Sequence, residues 1–155
     1  MKNSISKLVS WFCLGLLWWM AGPGELVADP VLVANPVTLS PTDTSRENLD
    51  LLIVGEGYLT VQGDHSFGAV YFSNALGGQI FGPHVRMSSL RLAQTTRLVV
   101  KPNGGLQISG LLSLEQGSTL EAQPGLTWTG THWSAMPSSI CANDVVVDST
   151  SQPRG

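Results

Sequence analysis

Short apolar segments separated by glycine-rich corners dominate this chain, most clearly in GGLQISGLLSLEQGSTLEAQPGLTWTG, residues 104–130. Within that stretch an apolar segment returns every six to eight residues and is followed by Gly, Gln-Gly or Pro-Gly. The strands of a β-sandwich usually run to about five or six residues and need fewer turns. The spacing therefore favours a fold that turns a corner after every few residues.

Similar segments occur from residue 51 onward, and Gly, Asn and Pro interrupt them, which is typical of strands. They occupy 51–54, 58–61, 69–72, 79–81, 85–87, 90–92, 97–100, 106–108, 111–114, 119–122 and 126–128. No window of ten or more residues in the sequence combines a helical period with good capping residues. We therefore predict an all-β protein.

A longer period of about 20 residues orders these segments, because three series of positions advance together along the chain. The series are Leu52, Tyr71, Arg91, Leu112; Leu59, Ile80, Val99, Leu120; and Ser66, Arg86, Gln107, Thr127. They predict a short parallel β-solenoid of about four rungs, each with three strands. Stacking of the rungs, about 4.8 Å apart, would create the core. A small antiparallel β-sandwich or barrel is the alternative, supported by the hairpin dipeptide Asn103-Gly104.

The segment 1–28 has the layout of a secretory signal peptide. Two lysines lie within Met1 to Lys7, and the apolar run LVSWFCLGLLWWMAG follows at 8–22. We predict a signal peptide at 1–28, an extended leader at 29–48, the solenoid at 49–134 and a C-terminal tail at 135–155. The protein is then secreted or held at the cell surface, and an uncleaved N-terminal anchor is the less favoured alternative.

Two segments resemble known exported repeat proteins. LQISGLLSLEQGSTLEA, residues 106–122, resembles the LxIxGxLxLxxGxTLxA phrases of bacterial exported β-helix proteins, such as the passenger domains of autotransporter adhesins. YFSNALGGQI, residues 71–80, is similar to the FxxN and GGA[ILV] motifs of chlamydial polymorphic membrane proteins, with Tyr71 replacing Phe and Gln79 replacing Ala. The resemblance implies export and a right-handed β-helix, and it carries over no catalytic residue.

Charge is segregated along the chain. Residues 65–114 contain four basic residues, Arg86, Arg91, Arg97 and Lys101, and no acid. Solvated strand faces are one interpretation; a basic strip that binds an anionic glycan or a lipid headgroup through Arg86 and Arg91 is the sharper one. The formal net charge of −3 argues against nucleic acid as a partner.

The aromatic segment LTWTGTHW, residues 126–133, is the second candidate ligand site. Trp128, His132 and Trp133 would lie near the open end of the coil, where aromatic faces suit sugar stacking. The other interpretation is that they cover the exposed strand edges of the last rung.

The sequence carries none of the common catalytic or nucleotide-binding motifs. Asp64 and His84 are separated by one repeat period and would stack on adjacent rungs, either as a weak metal-site candidate or as a surface pair. Lys101 and Glu121 have the same offset and predict a surface ion pair. Because Glu115 is the only acid in residues 65–120, the sequence also argues against a carbohydrate-active enzyme. We expect no cofactor and no enzyme activity.

These observations together predict an exported structural or adhesive surface protein. A glycan-binding module that uses Trp128 to Trp133 is the alternative. Its partner would be a surface glycan or another surface protein. Self-association through the solenoid ends, or through Cys141, the only cysteine after the signal peptide, is a further expectation.

Overall fold

The computed structural model describes residues 29–128, 131, 133–147 and 152–154. These residues form strands and turns and contain no helix. The predicted signal peptide lies outside them. The strands are β1 (Val31–Val33), β2 (Pro36–Leu39), β3 (Leu51–Val54), β4 (Tyr58–Val61), β5 (His65–Ser73), β6 (Gly77–Ile80), β7 (Val85–Ala93), β8 (Arg97–Val100), β9 (Gly105–Leu114), β10 (Thr119–Ala122), β11 (Gly125–Trp128), β12 (Trp133–Met136), β13 (Ser139–Val147) and β14 (Gln152–Arg154).

The strands stack into two six-stranded parallel sheets. One has the order β1-β3-β5-β7-β9-β13 and the other the order β14-β10-β8-β6-β4-β2. Within these two sheets each inner strand therefore pairs with the strands one turn before and one turn after it in the chain, which is the topology of a β-solenoid. Four turns join a long strand to a short one, beginning at β5, β7, β9 and β13. The predicted parallel solenoid of about four rungs is confirmed, and the sandwich or barrel alternative is not observed.

The long strands are irregular near their middle, which divides each of them into two parts. Along β5 the alternation of buried and outward residues changes phase where Ala69 and Val70 are both buried. Along β7 it changes where Ser88 and Ser89 both face outward. We call the part of the long strand before the bend arm 1, the part after it arm 2, and the short strand arm 3. Arm 1 comprises 65–67, 85–87, 106–108 and 140–142, paired in that order.

The core fills the space between the three arms. Inward positions alternate along each strand, and the same kind of side chain recurs from turn to turn. Fully buried examples are Leu51, Ile53, Leu59, Phe72, Ile80, Met87, Leu90, Leu92, Leu98 and Ile108. At about 25 cal/mol per Å² of buried apolar surface, these stacks are the main source of stability. A rung by itself has no such interior, so stability depends on stacking.

The turns differ in length, and the observed register departs from the predicted series for that reason. Ser66, Arg86 and Gln107 are aligned as predicted. On arm 3, however, Tyr58 is aligned with Gly77, whereas Leu98 is aligned with Leu120, so the later turn contains more residues than the earlier one. The second predicted series is consequently out of register with the observed pairing.

The sequence series places Thr127 after Gln107 on arm 1, and this prediction is wrong. Thr127 lies in β11, which pairs antiparallel with β12 as a hairpin between β10 and β13. The position after Gln107 in the arm-1 stack is occupied by Cys141 of β13. The chain therefore leaves the coil for one hairpin and then resumes it.

The strands extend beyond the predicted solenoid bounds of 49–134 on both sides. β1 and β2, in the segment predicted as a leader, pair with β3 and β4. β13 and β14, in the segment predicted as a tail, pair with β9 and β10. In the part of the chain that the structure describes, no helix is long and apolar enough to cross a membrane.

Candidate functional site

The outward side of arm 1 carries a row of polar side chains, which we call the arm-1 ladder: Ser66, Arg86, Gln107 and Cys141. These four residues are successive Cα partners across β5, β7, β9 and β13. Strand alternation sets their direction, because the residues on either side, such as Val85 and Met87, are buried in the core. Arg86, Gln107 and Cys141 are exposed. The solenoid therefore presents four side chains from four turns on one face.

The side chain of Arg86 makes no hydrogen bond or ion pair within the described residues. Its nearest ladder neighbours, Ser66 and Gln107, are uncharged. The other three cations of the predicted basic strip differ from Arg86, because each of their side chains donates a hydrogen bond to an acceptor on the following turn.

Arg91, the second predicted ligand residue, is held in a cluster on arm 2. Its Nε and Nη2 atoms donate to Oε1 and Oε2 of Glu115, both at 2.8 Å. Ser113 donates to the same carboxylate at 2.7 Å, and the guanidinium lies 4.9 Å from the centre of the Tyr71 ring. The hydrogen bond to Glu115 raises the pKa of Arg91 above its usual value, against the opposing effect of partial burial. Arg91 thus links neighbouring turns through its contacts with Glu115 and Tyr71.

Arg97 and Lys101 are also paired. Arg97 Nη2 donates to Glu121 Oε2 at 2.5 Å, and Lys101 Nζ donates to Gln123 Oε1 at 3.0 Å. The predicted Lys101–Glu121 pair is therefore not formed. The reason is the longer turn between β8 and β10, which aligns Val99, rather than Lys101, with Glu121.

Asp64 and His84 stack on adjacent turns, as their offset in the sequence predicts. Asp64 Oδ1 accepts from the His84 backbone N–H at 3.2 Å and lies 3.3 Å from His84 Nδ1. Both side chains are about two-thirds exposed. Among the described residues, no group of three or more His, Cys, Asp or Glu side chains is arranged to hold a metal ion. The geometry fits the predicted surface pair.

Two shallow grooves flank Arg86 on this face. The first is lined by Glu47, Asp64, His65, Ser66, His84 and Arg86. The second has a volume of about 250 Å³ and is lined by Pro83, His84, Val85, Arg86, Gly105, Leu106, Gln107, Ser139 and Cys141. The first contains two carboxylates, whereas the lining of the second contains none. Arg86 is therefore the boundary between a mixed-charge groove and a groove without acidic side chains.

A buried histidine lies under the first groove, and sequence reasoning missed it. His65 is 3% exposed, and its Nδ1 lies 2.6 Å from Glu47 Oε1. Its Nε2 faces the carbonyl oxygens of Ser40 and Gln62 at 3.1 and 3.0 Å. The ring also stacks on Phe67. Its place at an inward position two residues before Phe67 is the sequence feature that indicates burial.

Glu47 also covers the edge of the first long strand. Its Oε2 accepts from the backbone N–H of Ser66 at 2.8 Å, and Asp50 Oδ1 accepts from Ala69 at 2.7 Å. The carbonyl of Leu49 accepts from Gly68 between them. These acceptors replace the strand that is missing from arm 1 at this turn, and they satisfy an edge that would otherwise be open.

Trp128 and Trp133 are directly opposite one another in the β11–β12 hairpin. His132 lies outside the described residues. The hairpin register thus brings together the backbones of two of the three residues predicted for the aromatic site. Neither the predicted stacking on sugars nor the predicted capping is tested by this register.

No family model, curated protein or solved structure matches the chain. The resemblance to exported β-helix repeats therefore stays a prediction from the sequence.

Proposed function

We propose that this protein is an exported, non-catalytic surface protein that adheres to a partner through the arm-1 face. The observation that carries the proposal is the arm-1 ladder, which displays a cation between hydrogen-bonding side chains, and this cation has no partner among the described residues. The partner we propose is a surface glycan, since polar and charged groups on a shallow face suit hydroxyl-rich ligands better than apolar ones.

The architecture supports an adhesive role because the surface is built in advance. Each ladder residue follows a core residue in a strand of the stacked parallel sheet, so its backbone is already ordered. A preorganised surface loses little conformational entropy when a ligand binds. The spacing between turns, about 4.8 Å, repeats the ladder at regular intervals along the coil.

Binding to a glycan array tests the adhesive role, with Gln107→Ala on arm 1 and Gln79→Ala on arm 3 as matched variants. Both remove the same side chain from an outward strand position. We expect bound glycans whose signal falls several-fold in Gln107→Ala and is unchanged in Gln79→Ala. Equal signals from the two variants, or no bound glycan at all, would contradict the proposal.

Export is tested separately, because it rests on residues 1–28. Fusing residues 1–34 to a phosphatase that is active only outside the cytoplasm should give enzyme activity. Replacing Leu16 and Leu17 in the apolar run with Arg should abolish that activity. Activity that survives the replacement would contradict the proposed signal peptide.

Glycan binding through the aromatic hairpin is the second candidate, motivated by the pairing of Trp128 with Trp133 across β11 and β12. Aromatic side chains combine a large apolar surface with a polar edge, which suits contact with sugar rings. In that case Trp128→Ala would remove binding on the array, and Gln107→Ala would leave it unchanged. The same array therefore separates the two sites.

A further inference from the structure

We propose that the groove between Arg86 and Cys141 binds the carboxylate of an acidic saccharide. This inference rests on the proposed function, since it names the ligand class for the arm-1 face. It assigns to Arg86 the role of the anion-binding residue, and to Gln107 and Ser139 the role of hydrogen-bonding the neighbouring hydroxyl groups.

The charge distribution around the groove supports an anion. Among the residues that line the groove, Arg86 carries the one formal charge. The other titratable side chains of the lining are His84 and the Cys141 thiol. The other groove beside Arg86 contains the acids Glu47 and Asp64, and both already have partners. Asp64 accepts from His84, and Glu47 accepts from Ser66 and contacts His65. An anion that enters from the Cys141 side therefore meets a cation first.

Another arginine of the same solenoid, Arg91, already binds a carboxylate. Arg91 holds a carboxylate with two parallel hydrogen bonds of 2.8 Å, and the acid, Glu115, comes from the next turn. On arm 1 the corresponding next turn supplies Gln107, which has no charge. No described residue occupies the donors of the Arg86 guanidinium, and their planar fork matches a carboxylate.

The size and lining of the groove favour a sugar ring as the carrier of the carboxylate. Its volume of about 250 Å³ is below the range of pockets for drug-sized ligands, about 300–1,000 Å³. The lining combines the amide of Gln107 and the hydroxyl of Ser139 with the exposed apolar ring of Pro83. One sugar unit offers both hydroxyl groups and an apolar ring face to such walls.

Calorimetric titration of the purified protein with a β-1,4-linked glucuronate tetrasaccharide tests the inference. Cellotetraose is the control ligand, because it carries hydroxymethyl groups in place of the carboxylates. We expect glucuronate to bind and cellotetraose to bind at least about tenfold more weakly. Equal binding of the two would overturn the inference, as would binding of sulfated cellotetraose without binding of glucuronate.

Arg86→Gln and Arg97→Gln are the matched variants, since each removes one exposed cation from the same basic strip. We expect Arg86→Gln to weaken glucuronate binding about tenfold to a hundredfold, and Arg97→Gln to leave it unchanged. Arg86→Lys should restore only part of the affinity, because the ammonium lacks the fork of donors. Equal affinity of Arg86→Gln and the unaltered protein would overturn the role of Arg86.

Cys141 provides a second readout within the groove. Its exposed thiol should react faster with an anionic disulfide reagent, dithiobis(nitrobenzoate), in the unaltered protein than in Arg86→Gln, and bound glucuronate should slow the reaction. Cys141→Ser identifies the signal that belongs to this thiol. If array binding depends on Gln107 while neither glucuronate nor Arg86 has any effect, the proposed function stands and this inference fails.

Discussion

Glu47 Oε1 lies 2.6 Å from His65 Nδ1, and this contact fastens the segment before β3 to the first long strand. The other ring nitrogen faces two backbone carbonyls, those of Ser40 and Gln62. All three partners of the imidazole are thus acceptors, and the ring is 3% exposed. Burial keeps water from replacing any of these bonds, so their loss should be measurable in the free energy of unfolding.

His65→Phe should lower the free energy of unfolding by about 2–3 kcal/mol. The phenyl ring retains the apolar volume beside Phe67 but cannot donate to Glu47 Oε1 or to the two carbonyl oxygens, so the contacts of the imidazole with these three acceptors are lost. Urea denaturation, followed by circular dichroism, measures the change. His84→Phe is the matched control, because His84 is 69% exposed, and its effect should stay below about 0.5 kcal/mol. Equal unfolding midpoints for the two variants would show that the His65 bonds do not stabilise the fold.

The Arg91–Glu115 pair should contribute about 1 kcal/mol of coupling energy, because its hydrogen bonding is bidentate. The two side chains are 32% and 27% exposed, so solvent screens the pair only in part. A double-mutant cycle with Arg91→Gln and Glu115→Gln measures the coupling, and about 1 M salt should reduce it. The Arg97–Glu121 pair, where Arg97 is 57% exposed, should give a smaller value. A larger coupling for Arg97–Glu121 than for Arg91–Glu115 would contradict this ranking.

Gly77 lies at the start of arm 3, where the backbone of the next turn comes close. Its φ is +118°, and an added Cβ would collide with the carbonyl oxygen of Arg97. We expect Gly77→Ala to lower the free energy of unfolding by more than about 3 kcal/mol, since neither backbone can move without breaking the β6–β8 pairing.

Gly55→Ala is the control for this substitution. Gly55 also has a positive φ, +58°, but a Cβ there would meet no atom within 4 Å. Only the backbone strain of about 1–2 kcal/mol then applies. Thermal melts of the two variants measure the difference, and equal melting temperatures would exclude the close approach as the cause.

The solenoid was predictable because it depends mainly on local sequence patterns. The alternation of apolar residues within each short segment indicates which side chains point inward. The turn residue after each segment indicates where the corner lies. The arm-1 alignment of Ser66, Arg86 and Gln107 was also predictable, since the turns there stay close to the average repeat period. For the same reason the Asp64–His84 pair was found.

Register on arm 3 and the end of the coil were not predictable from the period alone. Turns that depart from the average repeat length gain or lose residues at a corner, and the sequence pattern does not show at which corner this happens. Such an addition places Gln123, instead of Glu121, next to Lys101. The segment LTW at 126–128 has the short apolar pattern of the rung strands, so it fits either structure. Parallel and antiparallel strands of this length have the same local pattern.

The buried His65 and its partners could not be predicted because they depend on contacts between distant residues. Glu47 is 18 residues away and Ser40 is 25 residues away. The chain between them has no repeat that would fix its path. Similarly, the sequence showed four cations in the basic strip but not which of them was paired, and only the structure distinguishes Arg86 from the other three.

The last strand of the first sheet, β13, presents an apolar edge. It pairs with β9 on one side, and on its other side no strand among the described residues pairs with it. Val145, Val146 and Val147 are 54%, 55% and 38% exposed. An unpaired strand with adjacent exposed valines is a template for pairing with another chain. We therefore expect the protein to self-associate through this end at high concentration.

Val146→Lys should weaken that association about tenfold, because a lysine on an edge strand opposes pairing with a second copy. Sedimentation equilibrium measures the association constant, in a Cys141→Ser background that excludes disulfide-linked dimers. Leu76→Lys is the control, since Leu76 is 63% exposed but lies in the corner between β5 and β6. If both lysine variants weaken association equally, the effect is not specific to the β13 edge. If neither does, β13 is not the contact, and self-association would have to use another surface.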